Sequence, residues 1–158
     1  MEAFVRASAI LTGFDSFELF GTGLAAAHYR FVAGMVGDGC LDEFVACVLA
    51  LPPTERERER EIRARVLADD RFGPVARSII KLWYLGTWYA LPAEWHRRYG
   101  GSDRDVTTIP SREAYVEGLV WGLIGAHPQG AKPQGYGAWA KPPRASEPLV
   151  QIHHRPSK

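Results

Sequence analysis

The sequence predicts an all-α protein: one small helical bundle over residues 1–124, followed by an extended Pro/Gly-rich C-terminal arm over residues 125–158. Three observations carry this expectation. Apolar residues recur at helical spacing through the first part of the chain. Gly and Pro fall where those periodic segments stop. From Ala126 onward no helical or strand period survives, and six of the eleven prolines fall there.

The elements follow in order. Phe4, Ala7, Ser8 and Leu11 share one face of a first helix that ends near Gly13. The stretch from about Thr22 to Val36 is rich in good helix formers, and the pair Gly37/Gly39 is expected to stop it. Leu41 to Leu51 reads as a short apolar helix closed by Pro52-Pro53. Thr54 then opens a run of alternating Glu and Arg, and Thr54 with Glu57 has capping-box spacing. Its charge pairs contribute only about 0.2–0.5 kcal/mol each, so the run reads as a solvated face.

Pro74 fits the first turn of the next helix. That helix is expected to run through Trp83, Tyr84 and Gly86 and to stop before Pro92. Being apolar all round, it should be the central, buried helix, with Trp83 and Tyr84 in the core. Pro92 to Pro110 reads as a short helical turn and a loop. Ser111 can cap a last helix ending at Gly125, in which Gly118 and Gly122 lie one turn apart and allow another backbone to come close.

A chain of 158 residues buries roughly 70% of its unfolded surface, enough for one core without staples. With 46% hydrophobic and 23% charged residues, the composition is that of an ordinary globular chain. A net charge of +1 gives no reason to expect nucleic acid or an anionic membrane as partner. No stretch approaches the roughly 20 apolar residues of a membrane span. The N-terminus does not read as a signal peptide, so the helical domain is expected to begin close to Met1.

Known chemistries fail on residue patterns. Cys40 and Cys47, if on one helix, would stand about 10 Å apart, beyond disulfide reach, and they form no haem or iron–sulfur motif. His28 and His96 fall singly, and His127, His153 and His154 lack the spacing of a metal set. There is no strained Ser elbow. Gly21-Thr22-Gly23 lacks the preceding strand and the last Gly of a dinucleotide loop. No catalytic, metal or cofactor-binding residue is assigned, and the sequence points to a chain that is not catalytic by itself. What remains is the arm. Tyr136, Gly137, Trp139, Lys141 and Pro142 place aromatic anchors on a segment too rich in Pro and Gly to build a core, a composition suited to lying on a partner.

Four segments carry a family resemblance: Ile10-Leu11-Thr12-Gly13; Trp83-Tyr84-Leu85-Gly86; the segment Tyr115 to Ile124; and Gly137-Ala138-Trp139-Ala140-Lys141-Pro142. In order and spacing the chain resembles the small subunit of membrane-bound, FAD-dependent sugar and polyol dehydrogenases, which include the sorbitol, fructose and glucose enzymes. The resemblance implies a non-catalytic, chaperone-like subunit that supports folding, maturation and stability of a large flavoprotein subunit. FAD is then expected in that partner and no cofactor in this chain. A multihaem cytochrome c subunit is a further implied partner, and the implied location is the periplasmic face of the inner membrane. Such small subunits often carry a twin-arginine leader, and none is visible here. A free-standing helical adaptor that binds another protein through its arm is the alternative. A third reading is an enzyme using His127 or the loop from Tyr99 to Pro110.

Overall fold

The computed structural model describes residues 1–129 and 131. The chain is all-α, and among the described residues the only β pairing is an isolated antiparallel bridge between Trp88 and Thr108. It divides into two compact units, Met1–Val120 and Trp121–Lys158.

In the first unit, α1 (Glu2–Thr12) turns Phe4, Val5, Ala7, Ser8 and Thr12 inward. Gly13, left-handed at φ 80°, ends it as expected. The sequence reading places no element between Gly13 and Thr22, yet α2 (Ser16–Gly21) stands there. Asp15 and Glu18 close a reciprocal capping box: the Asp15 carboxylate accepts from Glu18 N–H at 2.8 Å, and Asp15 N–H donates to Glu18 at 2.9 Å. Leu19 anchors this single turn and a half in the core.

Helices α3 (Ala25–Val36) and α4 (Asp38–Leu49) are joined by Gly37 alone. At φ 84° it interrupts the helix in one residue, so Gly39 lies inside α4 rather than helping to stop α3. Cys40 and Cys47 both sit on α4, and both are free.

The Thr54–Glu57 capping box does not form: Thr54 occupies the N-cap of α5 (Glu55–Glu61) with no side-chain bond. Arg58 instead reaches back to the carbonyl oxygens of Pro52, at 3.0 Å, and Pro53. A π-helical turn, Ile62–Leu67, continues α5 and brings Val66 into the core.

The central helix is α6 (Phe72–Leu85), whose Val75, Ala76, Ile79, Leu82 and Trp83 are fully buried. Two expectations are corrected here. The helix is amphipathic, since Arg77, Lys81 and Leu85 recur every fourth residue along an exposed stripe. It also ends at Gly86 and not before Pro92, because Gly86 adopts the left-handed conformation at φ 64°. The residues beyond it form the bridge to Thr108. Around α6 the aromatic side chains interlock edge to face, Phe44 on Phe72 and Phe31 on Trp88. Arg71, just before α6, grips Glu43 of α4 through both terminal guanidinium nitrogens, at 2.5 and 3.3 Å.

After α7 (Ala93–Tyr99), the expected last helix is broken. It appears as α8 (Arg112–Val116), capped by Ser111 as expected, and a short α9 (Val120–Leu123). Gly118 does meet another backbone, but a Cβ on Gly122 would meet nothing within 4 Å among the described residues, where only Gly118 is a packing device. In the second unit, Ala126 N–H donates to the Trp121 carbonyl at 2.9 Å and Gly125 turns the chain at φ 64°. The arm from residue 132 onward lies outside the described residues.

Candidate functional site

Three of the segments singled out in the sequence meet within the first unit. Thr12 is the last residue of α1, where carbonyl groups lose their helical partners. Its hydroxyl donates back to the Ser8 carbonyl at 2.8 Å, and its own carbonyl accepts from the Tyr84 hydroxyl at 2.6 Å. Phe14, just past Gly13, sets its ring edge-on to Tyr84 at 5.8 Å. Tyr84 is thus half-buried and hydrogen-bonded at the rim, not a core residue as expected, because its hydroxyl has a partner there.

Gly86 carries a double constraint. Its backbone is left-handed, and a Cβ on it would run into the backbone of Ala114 and Tyr115. Gly118 is close to Tyr84 in the same way: a Cβ there would stand 2.9 Å from the Tyr84 carbonyl oxygen. Next to it, Leu119 N–H donates to the Trp83 carbonyl at 3.1 Å. The end of α6 is therefore held from one side by the end of α1 and from the other by α8 and the turn after it.

Beneath this junction lies Trp83, 1% exposed as expected, with Phe4 and His28 against its ring. His28 meets Trp83 edge to face at 4.6 Å. Burial pushes the His28 pKa down to about 4, so the ring is neutral at neutral pH. Trp83 Nε1, His28 Nε2 and Ser8 Oγ are buried with no hydrogen-bond partner among the described residues. With 1% of its surface exposed, His28 is out of reach of a substrate in bulk water.

The loop from Tyr99 to Pro110 has its own organiser, which sequence reasoning missed. The Asp105 carboxylate, 1% exposed, accepts from Trp88 Nε1 at 2.5 Å and Leu91 N–H at 2.7 Å, and stands 2.7 Å from His96 Nε2. His96 Nδ1 is 3.1 Å from the Gly100 carbonyl. Both oxygens of Asp105 are engaged, so this loop is a clasp holding α7 to the segment after α6. The only signal in the sequence was an Asp among loop residues, which says nothing of what it binds.

His127 Nδ1 lies 3.4 Å from the Pro128 carbonyl, and no group of three or more metal-ligating side chains gathers among the described residues. Among the same residues no helix is long and apolar enough to cross a membrane. The arm residues Tyr136, Gly137, Trp139, Lys141 and Pro142, like His153 and His154, lie outside the described residues. The chain matches no protein-family model, no curated protein and no solved structure with which it was compared.

Proposed function

We propose that this chain is a non-catalytic small subunit of an FAD-dependent sugar or polyol dehydrogenase complex, and that it supports folding, maturation and stability of the large flavoprotein subunit. The observation that carries the reading is the meeting of Thr12-Gly13, Trp83 to Gly86 and Ala114 to Gly118 at one junction. Segments far apart in sequence that together resemble one family are thereby also one structural unit, held by bonds specific to their residue types. Tyr is needed for its hydroxyl, and Gly at two places where a Cβ has no room.

In this reading FAD and the sugar oxidation belong to the large subunit, and a multihaem cytochrome c subunit takes the electrons. The arm lies on the flavoprotein, with Tyr136 and Trp139 as anchors and Gly137, Lys141 and Pro142 beside them. Working at the periplasmic face of the inner membrane follows from the same reading.

Co-expression with an FAD-dependent sugar or polyol dehydrogenase large subunit from the same organism tests it. The expected result is a stable complex that raises the yield of soluble, FAD-loaded large subunit, while the small subunit alone carries no flavin absorbance. Deleting the residues after Gly125, or Trp139→Ala, should weaken the complex, the latter by about 2 kcal/mol for an aromatic hot spot. Stoichiometric flavin on the isolated chain, or a flavoprotein that matures equally well without it, would overturn the proposal.

A further inference from the structure

Helix α2 presents apolar surface that the described residues leave exposed. Successive residues of a helix are set about 100° apart. Leu19 is turned fully inward, which sends Phe17 to nearly the opposite side and Phe20 to the flank. Their exposures follow: Leu19 0%, Phe20 41% and Phe17 85%. A Phe on the outside of a short helix adds nothing to its stability, since its helix propensity is below that of Ala, Leu or Lys. The capping box holds the helix, and Leu19 docks it; Phe17 does neither.

The charges on this segment of the chain have one sign. Asp15 and Glu18 are exposed, and each is fixed by its bond to the other's backbone N–H. From Ala7 to Tyr29 there is no Lys or Arg, and His28, the one histidine, is buried and neutral at neutral pH. Two exposed aromatic rings therefore stand beside two carboxylates, each held by a hydrogen bond of the capping box.

We infer that α2 is a docking knob for the large subunit, with Phe17 and Phe20 entering an apolar cleft edged by Lys or Arg. This rests on the function proposed above and adds a second contact independent of the arm. Charge complementarity selects the occupant: a second copy of this chain would set Asp15 and Glu18 against their own like charges if α2 met α2, which costs affinity. A basic-edged cleft gains from both carboxylates and covers both rings.

The test uses the full chain and the large subunit employed to test the proposed function, with affinity measured at an ionic strength of about 0.1 M and again at about 1 M, where screening shortens from about 10 to about 3 Å. Phe17→Ser should melt like the parent, because Phe17 is 85% exposed, yet bind at least tenfold more weakly. Glu18→Gln keeps an acceptor for the cap but loses the charge, and should bind less tightly at low salt and equally at high salt. Sedimentation of the small subunit alone should show a monomer at all concentrations. If a complex forms and Phe17→Ser binds like the parent, the knob is refuted and the proposed function stands. Self-association abolished by Phe17→Ser would make the occupant a second copy and refute the inference. If the parent chain forms no complex at all, the proposed function falls and the knob falls with it.

Discussion

Acidification should destabilise this protein through His28, and the size of the effect follows from its burial. The ring is 1% exposed and its pKa is pushed down from the ordinary 6.5 to about 4 by desolvation. The unfolded chain therefore takes up the proton first. Stability from the neutral ring is complete above about pH 6.5 and declines as pH falls toward about 4, where the folded form also titrates. At about 1.4 kcal/mol per pH unit, the whole interval is worth about 3 kcal/mol, with about 2 kcal/mol gone by about pH 5. Against a typical total of about 5–15 kcal/mol this is large.

Carboxylates titrate too. Glu43, through its bond to Arg71, and Glu113, through backbone and Ser111 bonds, are held below the usual range and lose their contributions only as pH falls under about 4.5. The comparison that isolates His28 is urea unfolding of the parent and His28→Phe from about pH 7.5 to about pH 4.5, since the replacement keeps a flat ring and removes the titration. The difference between the two unfolding free energies should be constant above about pH 7 and shift by about 2 kcal/mol in favour of the variant by about pH 5. Two parallel curves across that range would mean that His28 charges in the folded state, and the reasoning from burial would be wrong.

Trp83→Ala should cost about 3–5 kcal/mol and lower the melting temperature sharply or prevent folding, because the indole is packed by Phe4 and His28. A variant that melts like the parent would place Trp83 outside the core. Gly86→Ala combines a left-handed backbone with a collision against Ala114, so it should lose well over 1 kcal/mol. Gly122→Ala, with nothing near it among the described residues, should be neutral or stabilising by up to about 1 kcal/mol. Thermal melts of the two decide whether the junction tolerates no side chain at Gly86.

Sequence determined what local physics determines. Helical spacing of Phe4, Ala7 and Ser8, the stop at Gly13 and the Ser111 cap each follow from a few neighbouring residues, and they gave the all-α class. The burial of Trp83 followed from the apolar segment around it. Where the outcome depended on distant residues, the local signal misled. The segment after Gly86 has helix-compatible residues, but Ala114 lies against Gly86 and Thr108 pairs with Trp88, so the helix ends there. Thr54 has capping-box spacing, yet Arg58 and the two preceding prolines organise that turn instead. Asp105 draws its ligands from Trp88, Leu91 and His96, none of which its own neighbourhood announces. Tyr84 was legible as important and illegible in role, because the carbonyl it serves belongs to Thr12, on another helix. A side chain's spacing is written in the sequence; the atom it finally touches is fixed only when long-range packing brings that atom within hydrogen-bond distance.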